Sequence, residues 1–238
     1  MHTQPFEYKL DSTTFKGYLA LDKTSSGKRP GVLVVHEAWG LGEHSRKRAE
    51  RLAELGYVAL AIDMFGDGYI PQSTDEGMQM ITDLRNDVLT LRARIRAAWD
   101  ALVGMPEVDS KKTASIGFCF GGGVSIELAR SGAPVSAIVS FHGGLQTKMP
   151  AEPNTVKAKI LSCTGHDDPF IPETVVQAFM DEMTKAGADF QVIVYGQTKH
   201  SFTEPKASER GMDALAYSKS SDERSWRAMQ DLFGEVFG

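Results

Sequence analysis

Thr113-Ala-Ser-Ile-Gly117-Phe-Cys119-Phe-Gly121-Gly-Gly123 decides the fold of this chain. Thr113 to Ile116 is a short apolar, β-prone run, and Val124 to Arg130 has helical spacing. Between them, glycines stand two residues either side of a cysteine. A sharp strand-to-helix turn forces an unusual backbone conformation. Gly117 and Gly121 let neighbouring chain approach it with no Cβ in the way. Such a turn lifts the Cys119 sulfur out of a sheet and sets it at a helix N-terminus, where free N–H groups and the dipole favour a thiolate. This is a nucleophile elbow with cysteine in serine's usual place. The plainer interpretation is a buried structural cysteine beside a glycine-rich turn.

Outward from the elbow, strands and helices alternate. Phe6 to Leu10 and Thr14 to Leu21 alternate apolar and polar residues, as half-exposed strands of a hairpin do. Gly31 to Val35 and Tyr57 to Ile62 are continuous apolar runs, the pattern of strands buried on both faces. Further buried strands are expected at 113–117, 135–141, 158–163 and 190–195. Helical spacing covers 44–55, 120–131, 173–186 and 208–233. A long amphipathic segment over 75–103 carries Leu84, Val88, Leu91, Ile95 and Trp99 on one face. Eight strand candidates, two in an opening hairpin, predict an α/β fold: a mostly parallel eight-stranded sheet covered by helices on both faces. No linker or repeat interrupts the 238 residues, so residues 1–238 are expected to form a single domain.

Composition narrows the function classes. A net charge of −5, with no basic cluster interleaved with aromatics, argues against a nucleic-acid partner. No apolar run reaches membrane-spanning length, and Met1-His-Thr-Gln-Pro5 lacks the basic start and apolar stretch of a signal peptide. A cytoplasmic protein is expected. Two cysteines in a chain of this size do not make a disulfide framework.

In parallel sheets the chemistry gathers at the carboxyl ends of the strands. Cys119 follows the 113–117 strand, Asp167 and Asp168 follow 158–163, and His200 follows 190–195. Nucleophile, acid and base therefore run in the order Cys…Asp…His, which is the α/β-hydrolase order. His200 would take the thiol proton and return it to the leaving group, with an aspartate orienting the imidazole. The oxyanion would be held by the Phe120 N–H and by a second N–H from the loop His36-Glu37-Ala38-Trp39-Gly40. Spacing does not choose between Asp167 and Asp168. A histidine elsewhere would read as a solvated loop residue, but the place of His200 after the last strand favours the functional reading; Glu37 has the plainer reading of a cap for the helix starting near His44. His36, Glu37, His142 and His166 have no HExxH-like spacing, so no metal is expected. Cys163 lies inside a buried strand and reads as an inert small hydrophobe.

Four motifs give the chain a family resemblance: Gly117-Phe-Cys119-Phe-Gly-Gly122, the His36-Glu37 pair, Asp168-Pro-Phe-Ile-Pro172 and His200-Ser-Phe202. In order and spacing they resemble the dienelactone hydrolase family over most of the chain, as does the tail around Ser225-Trp226. The resemblance implies a cofactor-free hydrolase of a small ester or lactone, with Cys119, Asp168 and His200 as triad. It also implies that Ala38 and Phe120 supply the oxyanion N–H groups, and that Glu37 hydrogen-bonds the resting cysteine until substrate rearranges the pair. A carboxylate there disfavours a second negative charge and keeps the thiol neutral.

One position departs from the family pattern. Dienelactone-cleaving members carry an arginine shortly after the histidine, where this chain has Thr203-Glu204-Pro205. Glu204 is expected to repel an anionic lactone, unless Arg85 or Arg210 compensates. Other readings are a thioesterase or acyltransferase with the same triad, or a non-catalytic binding or redox-sensing protein built on a low-pKa cysteine. Residues 64–80, with their glycines and methionines, suit either a mobile lining of the pocket or an ordinary loop. Trp39 suits either a pocket wall or the core.

Overall fold

The computed structural model describes residues 1–24 and 27–238. Strands β1 (His2–Leu10) and β2 (Thr13–Leu21) form the expected hairpin, and β2 runs antiparallel to β4 (Val58–Ile62). From there the sheet is parallel: β4 pairs β3 (Arg29–Val35), then follow β5 (Val108–Phe118), β6 (Ala137–Phe141), β7 (Lys159–Gly165) and β8 (Phe190–Tyr195). Among the described residues the order is β1-β2-β4-β3-β5-β6-β7-β8, one eight-stranded sheet.

Side-chain alternation along the central strands builds two cores, one on each face. In β3, Leu33 and Val35 join the core under α2 (Thr74–Asn86), α3 (Val88–Val103), α4 (Phe120–Arg130) and α5 (Glu173–Lys185). Val32 and Val34 point the other way, into the core under α1 (Glu43–Glu54) and α6 (Lys219–Phe237). A strand apolar at every position is what a sheet covered on both faces requires.

The long helix expected over 75–103 is two helices. Asp87, at φ −105° and ψ 74°, ends α2 and caps α3, its carboxylate accepting the Thr90 N–H at 3.1 Å. Aspartate at an N-cap competes with the helix for backbone donors, so the chain restarts there. Leu84 and Leu91 still share one core, because spacing by seven survives the break. The tail also differs: Ala207–Arg210 is a short 3₁₀ turn, and α6 begins only at Lys219.

Residues 64–80 are not a continuous loop. Asp63 accepts the N–H groups of Phe65, Gly66 and Gly68, which pins the start of the segment, and α2 takes over at Thr74.

On the α4–α5 side, Arg130 is fully buried between Glu127 Oε1 at 2.9 Å and Glu182 Oε2 at 2.6 Å, and it also donates to the Leu145 carbonyl. Arg130→Ala would leave Glu182 without its cation and Glu127 with Arg92 alone, in a largely desolvated site. It is expected to destabilise the fold by about 3–5 kcal/mol, read as the shift in urea unfolding. A loss under ~1 kcal/mol would put the pair in the class of exposed bridges.

Candidate active site

The elbow at the carboxyl end of β5 has the geometry its glycines imply. Cys119 sits at φ 54°, ψ −114°, in the left-handed region that L-residues avoid. A Cβ on Gly117 would lie 1.9 Å from the Gly121 carbonyl oxygen, and one on Gly121 would lie 2.3 Å from that of Val35. The Cys119 N–H is shared between the Phe141 carbonyl and His142 Nδ1, each at 3.1 Å. His142 Nε2 in turn lies 2.8 Å from the Thr203 hydroxyl. His142 thus ties the elbow to the loop that carries His200. The strand-end rule would have found it, since it directly follows β6.

His200 Nδ1 is 2.7 Å from Asp168 Oδ2, both groups being buried. The other Asp168 oxygen accepts the Phe170 N–H at 2.9 Å. Asp167 instead pairs with the exposed His166 and does not reach His200. With Nδ1 occupied by the aspartate, Nε2 is the ring nitrogen left for the cysteine. Burial disfavours the charged imidazole, but a negative charge at Cys119 and the ring's hydrogen bonds to Asp168 and Cys119 outweigh it, raising His200 to about 10. Removing the sulfur by Cys119→Ala removes the strongest of the raising causes. The His200 titration, followed by NMR of its ring nitrogens, is therefore expected to move to lower pH in that variant. An unchanged titration would mean that Cys119 does not act on the ring.

Cys119, His200 and Ala38 line one cavity of about 210 Å³. Trp39, Met78, Ile81, Phe170 and Ile171 make its apolar wall, and Trp39 both walls the cavity and packs against the core. Neither the Phe120 nor the Ala38 N–H has an acceptor among the described residues. Arg85 lines the cavity, its guanidinium 5.8 Å from the Phe120 ring centre, and makes no salt bridge among the described residues.

Glu204 does not line this cavity, and neither does Arg210. Both face an adjacent cavity of about 400 Å³. The repulsion of an anionic substrate expected from Glu204 is therefore aimed at the wrong space. Of the two compensating cations considered, only Arg85 is in place.

Glu37 is buried and makes no hydrogen bond to Cys119; its Oε1 has no partner, and Oε2 lies 3.9 Å from His44 Nδ1. It does not cap α1, whose N-cap is Gly42. Burial, then the facing Glu204, pushes Glu37 up to about 7 against the pull of His200, Arg210 and Arg48. Burial and the Arg48 guanidinium hold His44 down at about 3.

The four groups considered as metal ligands do not meet. His36 contacts the Glu37 carbonyl and the Met64 N–H, His142 is bound into the elbow, and His166 is exposed. Cys163 is buried, its thiol held up at about 12 by burial, and it faces only the Tyr195 hydroxyl.

With an elbow, an Asp–His pair and the loop carrying Ala38 around one cavity, comparison with known proteins is decisive. The family model described as dienelactone hydrolase family matches residues 15–237. The chain belongs to the dienelactone hydrolase family. Membership makes it an α/β-hydrolase-fold enzyme of the hydrolase class. A solved structure named m3DLH is 43% identical, covers 100% of this chain and 99% of its own, and has a TM-score of 0.97. A crystal structure of a dienelactone hydrolase-like promiscuous phosphotriesterase from metagenomic libraries is also 43% identical, with the same coverage and a TM-score of 0.96. Protein usf of Aquifex pyrophilus is 30% identical over 211 residues, 87% of this chain and 89% of that protein. No described helix is long and apolar enough to cross a membrane.

Proposed function

We propose that this hydrolase cleaves a small ester or lactone through an acyl-cysteine, with Cys119 as nucleophile, His200 as base and acid, and Asp168 as its orienting partner. The observation that carries the reading is the strained Cys119 facing an imidazole that Asp168 holds at 2.7 Å. The Cys119 thiolate attacks the carbonyl carbon, and the charge passes to the carbonyl oxygen, which the N–H groups of Ala38 and Phe120 receive. The C–O bond breaks, and protonated His200 gives its proton to the leaving oxygen. Neutral His200 then takes a proton from water, whose oxygen attacks the thioester; acid is released and the thiolate–imidazolium pair returns. Ester and water become acid and alcohol, and nothing else is consumed.

Glu37 is the group that the family resemblance sets beside the resting cysteine. Here its carboxyl is turned to His44, which matches the arrangement in which Cys119 is free to face His200. The apolar wall and Arg85 favour an acyl group that carries an anion, such as a carboxylate. Arg85→Ala is expected to raise KM for an anionic lactone such as cis-dienelactone about tenfold, as loss of ~1.4 kcal/mol does, and to leave p-nitrophenyl acetate nearly unchanged. Equal effects on both substrates would remove Arg85 from the binding site.

A second substrate class is favoured by the 43% identical relative described as a promiscuous phosphotriesterase. The same thiolate and N–H pair suit attack at phosphorus, where a phosphoryl oxygen takes the place of the carbonyl oxygen. Parallel turnover of a p-nitrophenyl ester, an acyl-thioester and a p-nitrophenyl phosphotriester, ranked by kcat/KM, separates ester, thioester and phosphotriester cleavage. Silence on all three, with Cys119 open to peroxide, would favour a redox sensor.

A further inference from the structure

The cavity beside the catalytic one is walled by a cluster of which the proposed reaction involves Glu37 alone. Glu37, His44 and Glu204 come from three segments, and one donor atom of each lies within 4.8 Å of the others. His44 Nδ1 is 3.9 Å from Glu37 Oε2 and 3.7 Å from Glu204 Oε2, too far to hydrogen-bond either. Glu37, only 7% exposed, has an oxygen with no partner, and His44 Nδ1 is also buried without one. Among the described residues, His44 is the sole salt-bridge neighbour of Glu37 and of Glu204. The nearby arginines and lysines make no ion pair with Glu37 or Glu204 among the described residues. Arg48 binds Asp222 and the Thr203 carbonyl, Lys47 and Lys206 pair with Glu43, and Arg210 stacks on Trp39 at 4.5 Å.

We propose that Glu37, His44 and Glu204 bind a first-row divalent cation of the zinc or manganese type, outside the catalytic cavity. One imidazole and two carboxylates make a neutral site with such an ion and match its ligand preferences. The imidazole nitrogen selects against magnesium and calcium, which prefer oxygen alone. Closing the three donors onto an ion at about 2.0–2.2 Å asks for small rotations, chiefly of the partly exposed Glu204 carboxylate.

The far side of His44 fits this role. Its Nε2 lies 3.2 Å from the Thr203 carbonyl, the partner a metal-bound histidine typically gives its remaining N–H. That tautomer turns the Nδ1 lone pair toward two carboxylates, an arrangement that a cation between them makes favourable. Arg48 Nε also approaches Nε2, at 3.2 Å. The tautomer that accepts from Arg48 sets an N–H toward the carboxylates, yet at 3.7 and 3.9 Å it hydrogen-bonds neither. An ion held here would keep the Glu37 carboxyl on the His44 side of its loop, away from Cys119.

The test is calorimetric titration of Zn²⁺ into the full chain after chelator treatment and dialysis, with a parallel Co²⁺ spectrum. The expected result is one Zn²⁺ per chain, weakened about 10–100-fold by Glu204→Gln and by His44→Gln, comparable to losses seen when a site's supporting groups are removed. The Co²⁺ adduct should lack a thiolate charge-transfer band, since neither cysteine belongs to the site. Glu204 sits in a loop, so Glu204→Gln is expected to keep wild-type circular dichroism and to remain informative if His44→Gln does not fold. No stoichiometric Zn²⁺ binding, binding unchanged by Glu204→Gln, or a thiolate band that assigns the ion to Cys119 would each overturn the proposal. None of these outcomes depends on catalytic turnover, so failure of the site and failure of the triad are distinguishable.

Discussion

Cys119→Ala is expected to lower kcat/KM for p-nitrophenyl acetate by about 10⁴-fold or more, the scale on which loss of a nucleophile acts in a triad. Ser201 also lines the cavity, but the proposed pairing of Asp168 and His200 serves Cys119. Misfolding is ruled out as the cause by Cys119→Gly. The native residue is held at φ 54°, ψ −114°, a conformation that strains any side chain. Glycine relieves that strain and should stabilise the protein by about 1 kcal/mol, while abolishing the same activity. Activity retained in either variant would end the assignment of Cys119.

Gly121→Ala is expected to destabilise the fold by about 3 kcal/mol or more, at the upper end of overpacking penalties. The added methyl would meet the Val35 carbonyl oxygen at 2.3 Å and that of His36 at 2.6 Å. Both are backbone atoms, in β3 and in the oxyanion loop, so no side chain can swing aside. For a chain of this length the melting temperature should fall by roughly 6–12 °C, and any folded fraction should be catalytically poor because the loop carrying Ala38 has moved. Gly234→Ala is the control. It lies in α6 with open space around it, and should gain up to about 1 kcal/mol from helix propensity. Similar behaviour of the two variants would mean that the elbow does not need its glycine.

The elbow, the placing of Cys119, Asp168 and His200 at the ends of strands β5, β7 and β8, and both faces of the sheet were legible in the sequence because each is written locally. Glycine spacing marks the turn, and continuous apolar runs mark strands buried on both sides. The break at Asp87 was hidden because the apolar stripe keeps its spacing across it, and only the capping aspartate marks the end of α2. The choice of Asp168 over Asp167 depends on which carboxylate the β7 turn aims at His200, which spacing does not encode. Glu204 was legible as a departure from the family, but its placement was not. It lies four residues beyond His200, yet the chain turns it out of the catalytic cavity and toward Glu37 and His44. His44 and His142 also gain their partners only from tertiary packing: the Thr203 segment is 159 and 61 residues away in sequence. Long-range polar contacts of this kind leave no periodic trace.

The acyl-cysteine is the central claim, and rapid acid quench during turnover of a p-nitrophenyl ester, followed by intact mass and peptide mapping, tests it most directly. The expected result is one acyl group per chain on the peptide bearing Cys119, labile to hydroxylamine and matched by a burst of p-nitrophenol of equal amplitude. An acyl group on any other residue, or release of p-nitrophenol that is linear from the first turnover with no acylated chain, would contradict it.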